Sequence, residues 1–127
     1  MEGESIWSKA YENILPLTPR NFKEAVLDVN GPVIVDFWLN KCGPCVIMDE
    51  HLKQIAHEWD IKVGKVDAMR DPDLADDYNV QSVPVVIVFF NGEEKQRFVG
   101  SRPIKKLQEE ILGALQPCGW TPESRKK

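Results

Sequence analysis

Residues 33–46 read VIVDFWLNKCGPCV, an almost continuously apolar run followed by two cysteines that a Gly-Pro pair separates. The run at 33–38 predicts a strand buried on both faces, since it lacks the polar alternation of a half-exposed strand. After the second cysteine, apolar residues recur at helical spacing: Met48, Leu52, Ile55 and Trp59. A strand is therefore predicted to lead into a CxxC pair at the start of a helix.

The remaining apolar segments alternate between strand and helix patterns in chain order. Further strands are predicted at 14–17, 61–67, 83–90 and 94–99, the last two joined by an Asn-Gly hairpin turn. Further helices are predicted to begin near Ser5, Thr18, Asp71 and Ser101. This order indicates an α/β fold, with a central mixed β-sheet flanked by helices on both faces and an additional N-terminal helix.

Both ends of the chain are predicted to lie outside the sheet domain, which spans 14–115. An apolar stripe predicts an N-terminal helical extension over 1–13: Ile6, Trp7, Ala10, Tyr11 and, at its end, Ile14. The stripe has two interpretations, a contact with this same domain or a contact with a partner. Residues 116–127 are predicted to form a polar, mobile C-terminal tail, in which Cys118 stays outside any disulfide.

Composition and charge narrow the function classes. The 127 residues suit one domain, and the net charge of −4 gives no electrostatic reason to expect a nucleic-acid partner. No apolar run approaches the roughly 20 residues that span a bilayer, and MEGES at 1–5 lacks the pattern of a secretory signal. We therefore expect no membrane association and a cytoplasmic location. In such a reducing compartment, a close cysteine pair is more often catalytic or metal-binding than structural.

The two close cysteines have three candidate roles: metal ligand, structural crosslink or redox centre. A structural zinc site needs four ligands, but His51 and His57 are about 240° apart around the predicted helix, so no metal is expected. A disulfide across two residues closes a very small loop and would stabilise the fold little. The redox role has a mechanism, because the N–H groups and dipole at a helix start favour the thiolate of Cys42. Cys45, one turn further, can then resolve a mixed disulfide.

The residues between the cysteines fit the redox role. Gly43 permits close approach of a partner backbone, and Pro44 presets φ for the first helical turn. CxxC alone is only moderately specific for redox chemistry. A strand directly before it and a helix directly after it make the signal strong.

The sequence resembles the thioredoxin family over residues 14–115, on FW-x-x-x-CGPC with an aspartate before the Phe, VP at 83–84 and NGE at 91–93. The resemblance implies the thioredoxin fold and a thiol–disulfide oxidoreductase that reduces protein disulfides. Cys42 would be the nucleophile and Cys45 the resolving thiol. It further implies no cofactor, a monomer, and re-reduction by a thioredoxin-reductase-type electron donor. The alternative is a thioredoxin-fold binding or scaffold protein with little turnover.

The resemblance also assigns roles to individual positions. Asp36 matches a carboxylate that carries a proton to and from the resolving thiol, and its burial should raise its pKa. Lys65 matches the lysine that pairs with this aspartate, and Pro84 matches a proline that follows a cis peptide bond. Four residues match or adjoin the rim on which a substrate chain lies: Lys41, Val83, Val99 and Gly100.

Three positions depart from the family pattern. Lys41 stands where tryptophan is usual, Val46 where lysine or arginine is usual, and Glu50 where a helix-kinking proline is usual. An ammonium beside Cys42 should favour its thiolate and substrates that carry acidic residues near their disulfide. The departures thus concern partner choice and redox poise rather than the exchange chemistry.

Overall fold

The computed structural model describes residues 5–125, so the first four residues of the predicted extension and the last two of the predicted tail lie outside the described part. Within it, one sheet contains β1 Ile14–Leu17, β2 Pro32–Trp38, β3 Lys62–Asp67, β4 Val85–Phe90 and β5 Glu93–Val99. The α-helices are α1 Gly43–Trp59, α2 Pro72–Asp77, α3 Ile104–Leu115 and α4 Pro122–Arg125. Short 3-10 helices cover Ile6–Lys9 and Gln116–Cys118, and a π-helical segment covers Lys23–Leu27.

The strands lie side by side in the order β1-β3-β2-β4-β5. β3 pairs in parallel with both β1 and β2, whereas β4 pairs antiparallel with β2 and β5. Parallel neighbours need a long crossover connection, and α1 supplies it between β2 and β3. The predicted mixed sheet with a C-terminal hairpin is confirmed, and the CxxC pair follows the end of the central strand.

The sheet separates two hydrophobic cores, because successive side chains of a strand point to opposite faces. One core, on what we call the α2 face, joins β2 residues such as Phe37 to the N-terminal segments and α2: Trp7, Phe22, Val26 and Leu74. The other, on the α1 face, joins Ile34 of β2 to α1 and α3: Met48, Leu52, Leu107 and Ile111. β2 is thus buried on both faces, as its apolar run predicts.

The N-terminal helix is shorter than the sequence predicts. The 3-10 helix covers only Ile6–Lys9, because the backbone of Ala10 is already extended (ψ 146°). Trp7 packs into the α2-face core, and its Nε1 donates a hydrogen bond of 2.8 Å to the carbonyl of Ala25. Tyr11 remains 78% exposed. Packing of the stripe against this same domain is therefore confirmed for Trp7, and the helix through Tyr11 is wrong.

The helix predicted to begin at Thr18 is also reduced. The Thr18 hydroxyl accepts a hydrogen bond from the N–H of Arg20, and the Asn21 side chain accepts one from the N–H of Thr18. Such local bonds compete with regular helix. A π-helical segment follows, in which the N–H of Asp28 bonds to the carbonyl of Lys23 at 2.8 Å.

The predicted polar tail is partly packed rather than mobile. Gln116–Cys118 forms a 3-10 turn, and Trp120 beyond it is only 8% exposed within the α1-face core. The rings of Trp120 and Trp59 lie 6.3 Å apart. One large aromatic side chain outweighs the polar residues around it, since burial of its area favours order.

Candidate active site

The two close cysteines meet at the N-terminus of α1. Cys42 is the N-cap residue, with extended backbone, and its Sγ accepts a hydrogen bond of 3.2 Å from the N–H of Cys45. The two residues form a disulfide with Cα atoms 5.2 Å apart, while Cys118 is a free, half-buried thiol, so the predicted pairing is confirmed. Cys42 is half-buried and Cys45 only 4% exposed, which makes Cys42 the more accessible sulfur.

The residues around the disulfide leave its outer side open. Pro44 lies in the first turn of α1, and both Gly43 and Pro44 are exposed. Lys41 is exposed and adopts a left-handed backbone with φ 60°, which is uncommon for a residue other than glycine. Val46 is also exposed. The departures from the family pattern at Lys41 and Val46 therefore concern groups that a partner can touch.

Asp36 lies within the molecule on the α1 face. It is two residues after Ile34 on β2, and alternate residues of a strand share a face. It is 1% exposed, and neither carboxylate oxygen has a hydrogen-bond partner among the described residues. Burial raises the pKa of Asp36 from 3.8 to about 6, with Lys65 opposing the shift and Asp49 adding to it. The carboxyl group can therefore change protonation near neutral pH.

Lys65 faces Asp36 from the neighbouring strand, in register across the β2–β3 pair. The Nζ atom lies 3.6 Å from Oδ2 of Asp36, which is an ion-pair contact but beyond hydrogen-bond range. The same Nζ lies 5.2 Å from the centre of the Trp38 ring and donates a hydrogen bond to Asp49. Lys65 thus sits between two carboxylates.

Asp49 is a member of this cluster that the sequence analysis did not identify. It lies one helical turn after Cys45 on α1 and also forms an ion pair of 3.2 Å with Lys53. Partial burial raises the pKa of Asp49, but the hydrogen bonds from Lys65 and Lys53 outweigh it and hold the pKa below its usual value. The spacing of four residues from a buried cysteine was the available signal.

The predicted substrate rim lies at the same end of the sheet as the disulfide. Phe37 of β2, five residues before Cys42, is in register with Val85 of β4, and Val85 with Val99 of β5. The Val83–Pro84 peptide bond is cis, as the resemblance implied, and the carbonyl of Pro84 accepts a hydrogen bond of 2.8 Å from the N–H of Gly100. Val99 is 60% exposed, and Val83 and Gly100 are partly exposed.

Arg102 holds this rim in place and was also missed by the sequence analysis. Its guanidinium donates hydrogen bonds to the carbonyls of Val99 at 2.7 Å and Gly100 at 3.3 Å. The same group forms an ion pair of 2.7 Å with Glu110 of α3. No pattern in the sequence distinguishes this arginine from an exposed surface residue.

The described residues offer no competing kind of site. Between residues 5 and 125, no group of three or more His, Cys, Asp or Glu side chains could hold a metal ion. No helix in this range is long and apolar enough to cross a membrane. The fold and the paired thiols at the helix start define a redox domain of the thioredoxin class.

Comparisons with known proteins identify the family. The thioredoxin family model matches residues 13–112, and the chain belongs to the thioredoxin family. It is 34% identical over 112 residues to the chloroplastic M-type thioredoxin of Spinacia oleracea, covering 87% of this chain but 62% of that protein. It is 35% identical over 97 residues to thioredoxin 1 of Nostoc sp., covering 75% of this chain and 91% of the relative.

A solved structure agrees with these relatives. A mutant thioredoxin from Halobacterium salinarum superposes with a TM-score of 0.74 at 27% identity, over 84% of this chain and 95% of that one. Family membership, together with the Cys42–Cys45 pair, supports a thiol–disulfide oxidoreductase function. The predicted thioredoxin fold is confirmed.

Proposed function

We propose that this chain reduces disulfide bonds of proteins through a reversible Cys42–Cys45 dithiol/disulfide. The observation that carries the proposal is the asymmetric pair at the start of α1, where the more exposed Cys42 receives an N–H from the helix. Helix N–H groups and the helix dipole favour the thiolate, which is the attacking species. The buried Cys45 is protected from solvent and close enough to complete the exchange.

The exchange runs in two steps that transfer two electrons. The Cys42 thiolate attacks one sulfur of the substrate disulfide, forming a mixed disulfide and releasing the other substrate sulfur as a thiolate. Cys45 then gives up its proton and attacks Sγ of Cys42, which breaks the mixed disulfide and releases the second substrate thiolate. Both released thiolates take up protons, and the protein is left with the Cys42–Cys45 disulfide.

Asp36 is the group that we assign to carry the proton of Cys45. It lies on the sheet face that α1 covers, and Cys45 lies in the first turn of α1. Its pKa of about 6 lets it accept a proton near neutral pH and return it afterwards. Gly43, Pro44 and Pro84 support the geometry of the two cysteines in this proposal.

The partner surface that we propose is the rim around the more exposed sulfur. Val83, Val99 and Gly100 would receive the backbone of the substrate, and Arg102 fixes the carbonyls of two of them. Lys41 would favour acidic residues beside the target disulfide. The electron donor in this scheme is a thioredoxin-reductase-type protein, as the family implies.

The proposed function includes the domain bounds, the oligomeric state and the compartment. We assign the thioredoxin domain to residues 14–115, with 1–13 as an N-terminal extension and 116–127 as a C-terminal segment. We propose a monomer in the cytoplasm, where a dithiol is kept reduced. Light scattering tests the monomer. Cell fractionation tests the compartment, and recovery in a chloroplast, the compartment named for the spinach relative, would refute the cytoplasm.

An insulin-reduction assay with dithiothreitol tests the activity. The unaltered protein should accelerate insulin precipitation, and Cys42→Ser should abolish the acceleration. Cys45→Ser should accumulate a mixed disulfide on Cys42, which identifies its substrates. Cys118→Ser is the matched control, because this thiol lies outside the pair, and it should remain fully active. An unaltered protein without activity would indicate the binding or scaffold alternative.

A further inference from the structure

We propose that Asp49 is a positioning residue that holds Lys65 away from Asp36, and so sets the pH range over which Asp36 moves a proton to and from Cys45. The inference rests on the proposed proton-carrier role of Asp36. It adds a second residue of α1, one helical turn after Cys45, to a proton-transfer site that otherwise comprises Asp36 of β2, Lys65 of β3 and Cys45. Asp49 determines which of two carboxylates, its own or that of Asp36, receives the hydrogen bond of the Lys65 ammonium group.

The geometry shows which carboxylate holds the ammonium. Nζ of Lys65 donates its hydrogen bond to Oδ1 of Asp49, while it stays 3.6 Å from Asp36. A charge-assisted hydrogen bond would require about 2.7–2.9 Å, so Asp36 receives only the longer-range attraction. Because Lys65 and Asp36 are in register on adjacent strands, a different rotamer of the flexible lysine could bring the two groups together. Asp49 favours the arrangement in which they stay apart.

Asp49 is suited to this role because it stays ionised while Asp36 titrates. Its side chain is 24% exposed, and a second cation, Lys53, lies 3.2 Å from its Oδ2. These two cations hold the pKa of Asp49 below its usual value despite partial burial. At every pH where Asp36 changes protonation, near 6, Asp49 therefore carries its full charge.

The charged groups around Asp36 come from two sides of the cluster. β3 contributes Lys65, and α1 contributes Asp49 together with its partner Lys53. β4 contributes no charge, since its residue in register with Asp36 is the buried Val86. Two effects of Asp49 therefore act on Asp36 in the same direction. Its negative charge disfavours a second carboxylate nearby, and its bond withholds the hydrogen bond of Lys65.

The cluster also adjoins the cysteine that gives up the proton. A cavity of about 270 Å³ is lined by Cys45, Asp49 and Lys65 together with Trp38 and Lys41. Asp49 and Lys65 thus line the same cavity as the resolving cysteine, and Asp36 is buried next to Lys65. A change at Asp49 is felt at the site without removing any group that we assign to the reaction.

The test is Asp49→Asn, followed by NMR titration of the Asp36 carboxyl carbon in the disulfide form, in which the active-site cysteines do not titrate. The substitution would keep the shape of the side chain but remove its charge, and Lys65 would be free to bond Asp36. The midpoint of the Asp36 titration should fall by at least about one pH unit. The pH of half-maximal mixed-disulfide release, measured by stopped flow, should fall with it.

The matched control is Glu50→Gln, which removes an equal charge from the next, exposed position of α1. It should leave the Asp36 midpoint in place, and Asp49→Glu should keep most of the original value. An unchanged or higher midpoint in Asp49→Asn, or an equal fall in Glu50→Gln, would overturn the inference. If the unaltered protein does not reduce insulin, the proposed function is refuted instead. The NMR titration of Asp36 does not depend on that activity and is read separately.

Discussion

The two faces of the central sheet are built from the same strands but differ in the kinds of side chain that they bury. The core on the α2 face joins apolar side chains from the N-terminal segments, α2 and the strands. The α1 face contains Asp36, the charged side chain that is buried among the described residues. Asp36 lies beneath α1, the helix that begins at the disulfide. Burial of apolar area stabilises at any pH, whereas a buried carboxyl makes stability depend on protonation. The buried carboxyl on the α1 face therefore makes the free energy of unfolding depend on pH, whereas the apolar contribution of the α2-face core does not.

Phe37→Ala tests the core on the α2 face and should have the largest effect on the free energy of unfolding. Phe37 is fully buried, and its loss leaves a cavity among the surrounding rings and aliphatic side chains. We expect a loss of about 3–5 kcal/mol in the free energy of unfolding. Urea denaturation should give the same loss at pH 5 and pH 8. Met69→Ala, at an exposed position, is the control and should change little, and a loss at only one pH would contradict the comparison.

Asp36→Asn tests the α1 face and should have the opposite sign. The pKa of Asp36 is about 6 in the folded protein against an ordinary 3.8, so the folded state binds more protons between these values. The penalty for ionising Asp36 is absent below about pH 4, grows as the pH rises, and is complete above about pH 7.

Removing that penalty should raise the free energy of unfolding by up to about 3 kcal/mol at pH 8 and change little at pH 3. Urea denaturation across this range measures it. Asp28→Asn, on the surface, serves as the control and should show no such gain. A loss of stability at pH 8 for Asp36→Asn would mean that the charge of Asp36 is stabilising, contrary to this account.

Trp7→Phe probes the edge of the α2 face and should have a smaller effect. The substitution keeps most of the ring but removes the hydrogen bond from Nε1 to the carbonyl of Ala25, leaving a buried acceptor unsatisfied. We expect a loss of about 1–3 kcal/mol that does not vary with pH. Tyr11→Phe, at the exposed end of the same segment, should be neutral. If the two substitutions are equivalent, the N-terminal segment is not part of this core.

Lys41→Trp lies outside both cores and should have the smallest effect. The ammonium is exposed, so its support of the Cys42 thiolate is partly screened by solvent and salt. At a fixed pH near neutral, the thiolate fraction of Cys42 should fall by a factor of about two at low salt. Thiolate absorbance measures this, and the difference should shrink at high salt. An effect that does not depend on salt, or one that Lys9→Trp reproduces, would show that Lys41 has no electrostatic role.

The order of strands and helices could be predicted because apolar runs and their spacing are strong local signals. The stretch 33–46 specified a buried strand, a helix start and the paired thiols, and it placed Asp36 inside the molecule. Asp49 could not be singled out in the same way. Its spacing of four residues places it on the same side of α1 as Cys45, but several charged residues follow Cys45 on this helix, and spacing alone does not show which of them meets Lys65.

The ends of the chain were predicted less well, for a different physical reason. A stripe of apolar residues indicated a helix near the N-terminus, yet the anchoring of a single ring, Trp7, fixes that segment as one 3-10 turn. Near the C-terminus, polar composition indicated a mobile tail, and Trp120 outweighed it. In short segments one buried aromatic decides the conformation, and averaged composition does not reveal it.

The four tryptophans lie in different parts of the molecule and can serve as fluorescent probes of those parts. Trp7 lies in the α2-face core, Trp59 and Trp120 pack together on the α1 face, and Trp38 lies beneath the ammonium of Lys65. Variants that keep a single indole would let fluorescence follow each layer separately as the chain unfolds. Coincident curves would mean one cooperative unit, and displaced curves would reveal that the layers melt apart.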